Sequence, residues 1–212
     1  MLYSLDSNAS LIRVSGCDIV ADTSYLIGLI NPSSDSHQVI DAFHQGALSA
    51  GASFFINVTA RYELMRWIRK GQLVAAIDSL RAADPARFPR PDNDPEAILK
   101  SFIRTGDYPA ILSQMTVDTY AELSKFELQL GLTYMTGTTS TGWDDLSALM
   151  IETGLEPADA MILNFAHYIE ADAVVTKDIG FALGANRMDV YMPIAVARRC
   201  STLYDATKDA AV

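Results

Sequence analysis

The chain has 212 residues, a formal net charge of −10 and a hydrophobic content of 50%. This length and composition suit one domain with a sizeable core and exclude a disordered chain. The acidic balance argues against a protein that coats nucleic acid by bulk charge attraction. No apolar run reaches the ~20 residues of a membrane span, and the polar start, MLYSLDSNASLIRVSG, lacks the layout of a signal peptide. We therefore expect a soluble cytoplasmic protein with no membrane association.

The first part of the chain alternates short apolar runs with helical patterns. Residues 17–21 (CDIVA) predict a buried strand that ends at Asp22, and residues 23–30 predict a helix after it. The following patterns predict a helix, a strand and another helix over residues 36–50, 53–58 and 59–70. Gly71 is typical of the end of a helix, so the last of these is expected to stop there.

The middle of the chain has a different pattern. Residues 71–141 predict helices and loops almost throughout. The predicted helices cover residues 72–83, 95–104 and 109–132, and the segment TGTTSTG predicts a turn. We interpret this stretch as a helical insertion in a single domain, residues 1–212, whose core covers about residues 17–70 and 143–192.

The pattern of the core resumes after the insertion. Residues 143–152 predict a helix, and residues 157–170 predict the clearest helix of the chain, with one continuous apolar stripe. Residues 172–176 (DAVVT) and 188–192 (MDVYM) predict two further strands. Short apolar strands that alternate with helices indicate an α/β fold with a central, mostly parallel sheet flanked by helices.

Four carboxylates stand at the ends of predicted elements. They are Asp22 after the first strand, Glu63 in the helix after the second, Asp159 at the start of the long helix, and Asp178 after DAVVT. The carboxyl ends of parallel strands form the crevice in which such folds bind ligands. Helix capping or a surface ion pair explains each acid taken alone, so only the four together indicate a site.

The segments that carry these acids resemble the PIN-domain family in their order: ADTSYLIGLI, ARYELMRWI, GLEPADAMILNFA and ADAVVTKDIGF. That family has an Asp-Thr/Ser after the first strand, a Glu in the helix after the second, a helix opening D-A-x-I and a T-x-D after the fourth strand. The resemblance covers about residues 17–70 and 143–185 and implies a PIN-like fold. It implies that the catalytic and metal-binding residues are Asp22, Glu63, Asp159 and Asp178, supported by Ser24 and Thr176.

Clustered carboxylates need cations, because two of them at ~4 Å repel by about 4 kcal/mol at an effective dielectric constant near 20. Oxygen ligands suit Mg²⁺ or Mn²⁺ rather than zinc. The resemblance therefore implies a metal-dependent endoribonuclease that hydrolyses RNA phosphodiester bonds. Arg66 and Lys177 lie near the acids in the sequence and are candidate phosphate contacts.

Three readings of the function differ in class. Resemblance to the toxin-type members implies the toxin of a toxin–antitoxin pair, with a small antitoxin protein as its partner and a homodimer as its assembly. The alternative is a non-catalytic PIN-like module that binds RNA or protein. A phosphotransferase of the haloacid dehalogenase type also has an Asp after its first strand, but it needs a second Asp where this chain has Ser24.

Overall fold

The chain folds into two compact units. The computed structural model describes residues 1–83, 108–136, 143–200 and 202–204. The first unit, here called the sheet unit, comprises Met1–Tyr62 and Glu127–Val212. The second, the helical unit, comprises Glu63–Phe126, and so overlaps the predicted insertion but begins before it.

The sheet unit is built on parallel strands. Its strands in the described residues are β1 (Leu2–Ser4), β2 (Asp18–Ala21), β3 (Ser53–Ile56), β4 (Leu132–Tyr134), β5 (Ala173–Val175) and β6 (Asp189–Met192). These six form one sheet in the order β1-β6-β5-β2-β3-β4, and every neighbouring pair is parallel. The predicted α/β fold with a central parallel sheet flanked by helices is confirmed.

The helices of the described residues connect these strands. They are α1 (Asn8–Arg13), α2 (Thr23–Ile30), α3 (His37–Ser49), α4 (Val58–Ala83), α5 (Tyr108–Gln129), α6 (Trp143–Thr153), α7 (Pro157–Tyr168) and α8 (Ile194–Ala197), with a 3₁₀ helix at Gly180–Asn186. Among them, no helix combines the length and the apolar character that crossing a membrane requires.

The two central strands, β2 and β5, are covered on both faces. Residues 19–21 and 173–175 are at most 2% exposed. A strand buried on both faces reads as a continuous apolar run rather than an alternation, and such runs are visible in the sequence. The strands predicted over residues 17–21, 53–58, 172–176 and 188–192 are confirmed.

Two strands lie where the sequence predicts none. β1 comes from the first residues of the chain, which were expected outside the core, and β4 lies within the stretch predicted as helical insertion. Leu2, Tyr3 and Ser4 are all buried, and Leu132 of β4 is 9% exposed. Each strand has three residues and only one strand neighbour in the described sheet. Such short edge strands carry no periodicity by which a sequence could reveal them.

The helix after β3 is longer than predicted. α4 continues through Gly71 to Ala83, so the prediction of a helix end at residue 70 is wrong. Gly71 does not have the positive φ of a helix-ending glycine. A Cβ atom there would meet nothing within 4 Å. The predicted helix over residues 95–104 lies outside the described residues, as does the turn TGTTSTG beyond its first residue.

Candidate active site at the carboxyl ends of β2 and β5

The middle of the sheet contains a topological switch point. From β2 the chain proceeds through two helices to β3 on one side, whereas β5 lies on the other side of β2. β2 and β5 end together, with Ala21 opposite Val175, and Asp22 N donates to Val175 O over 3.0 Å. Where connections leave in opposite directions, the carboxyl ends of the strands border an open crevice. The residues that follow β2 and β5 therefore lie at the same crevice.

Asp22 follows β2 and is the N-cap of α2. Its extended backbone (φ −76°, ψ 155°) lets its carboxylate accept a hydrogen bond from Ser24 N over 3.3 Å. The same oxygen, Oδ2, accepts from Ser24 Oγ at 2.5 Å and from Thr176 Oγ1 at 2.7 Å. Helix capping accounts for the contact with Ser24 N. It does not account for the hydroxyl of Thr176, which is 154 residues away in the sequence.

The hydroxyl groups of Ser24 and Thr176 both serve Asp22. Their oxygens lie 3.1 Å apart, but each hydroxyl has a single hydrogen and a carboxylate can only accept. We therefore assign both hydrogens to Asp22 Oδ2. The lone pairs accept backbone N–H groups: Ser24 Oγ accepts from Lys177 N at 2.8 Å. Thr176 Oγ1 accepts from Asp178 N at 2.9 Å. The network thus fixes the turn after β5 against the start of α2.

Burial makes the ionised form of the Asp22 carboxyl group energetically unfavourable. Asp22 is 4% exposed, and burial raises the pKa of its carboxyl group above the ordinary value, whereas the hydrogen bonds from Ser24 and Thr176 act in the opposite direction. None of the ion pairs in the described part of the chain involves Asp22. A buried carboxylate without a counter-charge, at the crevice of a parallel sheet, is typical of a functional site.

Two further carboxylates meet at Gly180. Asp178 Oδ1 accepts from Gly180 N over 2.7 Å. A Cβ atom at Gly180 would lie 3.2 Å from that oxygen and 3.8 Å from Asp159 Oδ2. Asp159 reaches this point from the first turn of α7, which begins with Pro157, a residue well suited to a helix start. One oxygen of each carboxylate therefore lies within 4 Å of this position, next to a residue without a side chain.

The other predicted site residues have different places. Glu63 and Arg66 lie on α4 in the helical unit, where Glu63 is half-buried and Arg66 is exposed. Their part in the site stays a prediction. Within the sheet unit, the structure brings together the remaining predicted residues. Asp22 and Asp178 are joined through Thr176 and Ser24, Asp159 meets Asp178 at Gly180, and Lys177 lies between Thr176 and Asp178.

The donor groups fit a hard divalent cation in kind. Asp159 and Asp178 offer carboxylate oxygens at one point, and Mg²⁺ in proteins is commonly bound by one or two carboxylates, with waters and substrate phosphates completing its shell. In the chain as far as it is described, no group of three Asp, Glu, His or Cys side chains could hold one metal ion.

Three residues near these acids carry no sequence signal for a site. Gly180 matters because of what a Cβ atom would meet there, which only the packed structure reveals. The same holds for Gly28 on α2. Ser34 accepts from Lys177 Nζ over 2.6 Å, but it stands in the segment NPSSDS, which is typical of an ordinary turn.

Comparison with known proteins adds no relative: no family model matches the chain, and no curated protein matches it. The resemblance to PIN domains therefore stays a prediction from the quoted segments.

Proposed function

We propose that the chain is a PIN-like endoribonuclease that uses Mg²⁺ or Mn²⁺ to hydrolyse RNA phosphodiester bonds. The observation that carries the proposal is the meeting of carboxylates at the switch point of the sheet. The Thr176 hydroxyl joins the carboxylate of Asp22 to the backbone N of Asp178 there. One oxygen each of Asp159 and Asp178 lies within 4 Å of the position that a Cβ atom would take at Gly180. A bound cation would neutralise the charge of carboxylates that lie close together.

The strand order supports the PIN-like part of the proposal. In that family the T-x-D motif follows the fourth strand of the core, and here Thr176 and Asp178 follow β5. β1 is an additional strand at the edge, so β2 counts as the first strand of the core. β4 then supplies the third strand, which the sequence pattern did not show, and β5 becomes the fourth.

Each residue of the sheet unit has a distinct part in the proposed reaction. Asp159 and Asp178 would hold the ion at Gly180. A divalent cation in such a place polarises a phosphate oxygen and lowers the pKa of a bound water. Ser24 and Thr176 donate to one oxygen of Asp22, which favours its ionised form and fixes the orientation of the carboxylate beside the ion.

The substitution Asp22→Asn tests the proposal. With a single-stranded RNA and Mg²⁺ or Mn²⁺, we expect the purified protein to cleave, and we expect EDTA or Asp22→Asn to lower the cleavage rate at least a hundredfold. Asp145→Asn is the matched control, because Asp145 is an exposed acid in the first turn of α6. It should cleave at the wild-type rate. Cleavage that survives EDTA, or full activity of Asp22→Asn, would contradict the mechanism.

Thermal unfolding of the same variant separates loss of chemistry from loss of fold. The pKa of Asp22 is higher in the folded than in the unfolded chain. Its contribution to stability is therefore present below the unfolded pKa and is lost as pH rises through the folded value. At neutral pH the buried, ionised carboxylate destabilises the folded chain. Asp22→Asn removes this charge, so it should keep or raise the melting temperature. A large fall in melting temperature would mean that lost activity reports unfolding.

The second candidate function is a non-catalytic PIN-like module that binds RNA or protein. This reading predicts RNA or protein binding that Asp22→Asn and EDTA leave unchanged, with no cleavage in any divalent cation. The cleavage assay above distinguishes the two functions.

The likeness to toxin-type members extends the proposal to a cytoplasmic toxin with a small antitoxin and a homodimeric assembly. The net charge of −10 favours a partner with a basic segment. Expression of the chain should then arrest growth, and co-expression of a small neighbouring open reading frame should relieve the arrest. Arrest that persists with Asp22→Asn would contradict a toxin that acts by cleaving RNA.

A further inference from the structure

Lys177 is fixed at both of its ends beside the candidate site. Its backbone N donates to Ser24 Oγ over 2.8 Å, so the residue begins at the hydroxyl network around Asp22. Its side chain extends to the turn between α2 and α3, where Nζ donates to Ser34 Oγ over 2.6 Å. The side chain is half-buried. The ammonium group is therefore held at a defined place rather than free to sample the surface.

The path of this side chain depends on Gly28. A Cβ atom at Gly28 would lie 2.8 Å from Lys177 Cδ and 3.5 Å from Lys177 Nζ. It would also lie 2.6 Å from Ile40 Cδ1 of α3. A glycine in the interior of a helix is unfavourable relative to alanine. Here the missing side chain is what lets the stem of Lys177 cross α2 in contact with its backbone.

The described residues offer the charge of Lys177 no ion-pair partner. No ion pair among the described residues involves this ammonium group. Its acceptor, Ser34 Oγ, is a neutral hydroxyl that lies 3.4 Å from Ser36 Oγ. An ammonium has three donors, so the hydrogen bond to Ser34 leaves others for an acceptor from outside. Two hydroxyls and an unneutralised cation are the groups that a phosphate prefers.

We propose that Lys177, Ser34 and Ser36 bind a second backbone phosphate of a single-stranded RNA, next to the phosphate that is cut. The inference rests on the proposed nuclease function and deepens it. In the proposed reaction, Asp159 and Asp178 would hold the metal ion that binds the scissile phosphate. Lys177 follows Thr176 directly in the chain, but its side chain crosses α2 at Gly28 and places the ammonium group at Ser34. The ammonium group therefore binds a different phosphate of the same strand.

Salt-dependent binding tests this subsite independently of cleavage. The probe is a short single-stranded RNA, with Ca²⁺ present to fill the hard-cation site, and its Kd is measured by fluorescence anisotropy at several salt concentrations. We expect Lys177→Gln to weaken binding roughly tenfold at low salt. We also expect it to reduce the slope of log Kd against log salt by about 0.7, the value for one phosphate contact on a single strand.

Three comparison variants sharpen the result. Lys177→Arg keeps the charge and should keep the slope. Gly28→Ala keeps the lysine but displaces its stem, and should lose the same increment of slope as Lys177→Gln. Lys125→Gln removes an exposed charge from α5 and should leave the slope near the wild-type value. Melting temperatures verify folding, and if Gly28→Ala does not fold, the contrast between Lys177→Gln and Lys177→Arg decides.

A scan of neutral methylphosphonates along the RNA identifies the contacted phosphate. At one position beside the cut, the neutral linkage should abolish the difference between wild type and Lys177→Gln. A single-stranded DNA probe should show the same difference, because a phosphate contact does not read the 2′-hydroxyl. If wild type and Lys177→Gln have equal slopes of log Kd against log salt while cleavage still depends on Asp22, the proposed subsite is wrong. The proposed nuclease function would be unaffected by that result. A wild-type chain that neither binds nor cleaves RNA would overturn both.

Discussion

At the scale of single residues, Thr176 joins the sheet to the candidate site. Its backbone N donates to Tyr191 O over 3.0 Å, which continues the pairing of β5 with β6. Its hydroxyl donates to Asp22 Oδ2 and accepts from Asp178 N. The residue has no exposed surface. The fold therefore depends on the backbone N of this residue, and the candidate site depends on its hydroxyl oxygen.

The substitution Thr176→Val removes that oxygen while nearly preserving the shape of the side chain. We expect the free energy of unfolding to fall by about 1–3 kcal/mol, because the hydroxyl's partners lose a buried hydrogen bond. The pKa of Asp22 should rise further, since the bond from Thr176 lowers it. The acidic limb of the pH–rate profile should therefore move to higher pH. Urea unfolding and cleavage rates across pH measure the two effects.

Thr153→Val is the control for this experiment. Thr153 is also buried, and its hydroxyl donates to Leu149 O and accepts from Leu155 N, the same combination of bonds away from the three acids. It should lower stability by a similar amount and leave the pH–rate profile in place. A profile that is identical for Thr176→Val and wild type would contradict the role of Thr176 in setting the state of Asp22.

His44 is a buried residue whose ring connects elements of the sheet unit. Its Nε2 lies 2.8 Å from Leu130 O and its Nδ1 lies 3.2 Å from Tyr25 OH. A carbonyl can only accept, so Nε2 carries the hydrogen and Nδ1 accepts from the tyrosine hydroxyl. This ring therefore ties α3 to α2 and to the residues that lead into β4. Burial lowers the pKa of His44 and so favours the neutral imidazole.

Stability should consequently fall in mild acid. Burial lowers the pKa of His44 below its ordinary value near 6.5. Between the folded and the unfolded pKa, the unfolded chain binds more protons, so the contribution of this ring is complete above about pH 6.5 and is lost as pH falls toward the folded value. Urea unfolding between pH 5 and 8 should show this slope in wild type. His44→Gln, which cannot take up the proton, should show a flatter one.

At the scale of secondary-structure elements, α4 shows how a local signal misleads. Gly71 follows an amphipathic helical pattern and predicts the end of that helix. In the structure the helix continues for about three further turns, to Ala83. A glycine ends a helix when its φ is positive, and Gly71 is not among the glycines with a positive φ. The apolar pattern beyond it then favours continuation.

The substitution Gly71→Ala measures this directly. In a continuous helix with open space at the Cβ position, alanine should raise the free energy of unfolding by about 1 kcal/mol. Gly131→Ala is the contrasting control, because Gly131 has a φ of 59° and an alanine there would be strained. A destabilising effect of Gly71→Ala in urea unfolding would contradict the continuity of α4.

At the scale of the whole molecule, the sheet unit joins the beginning of the chain to its last strand. Leu2 pairs with Val190, and the terminal amine of Met1 donates to Asp189 Oδ1. The ring of Tyr3 stacks on that of Tyr191 with centroids 5.0 Å apart. These contacts bury β1 against β6, so the first residues are part of the core rather than an appendage.

The substitution Tyr3→Ala should therefore destabilise the protein strongly. Removing a buried aromatic side chain leaves a cavity, and we expect the free energy of unfolding to fall by about 3–5 kcal/mol. Tyr168→Ala is the control, because the side chain of Tyr168 at the end of α7 is 56% exposed. Its effect should stay within about 0.5 kcal/mol. A mild effect of Tyr3→Ala in urea unfolding would contradict the place of β1 in the core.

The sequence by itself was sufficient for what depends on local pattern. The runs CDIVA and DAVVT show β2 and β5 because a strand covered on both faces must be apolar throughout. The acid after each run shows where a crevice would form, since strand ends are where ligands bind in parallel sheets. Asp22 and Asp178 stand at such positions, whereas Asp159 was named at a helix start through the resemblance to PIN domains.

Only the tertiary structure decided what depends on neighbours distant in the chain. β1 and β4 are too short to have a period, and they become strands because β6 and β3 offer them hydrogen bonds. The contact between Thr176 and Asp22 requires β5 to lie beside β2, and no local pattern states which strands will be adjacent. The sequence gives the positions of the acids. Their common place at one crevice follows from the order of the strands in the sheet.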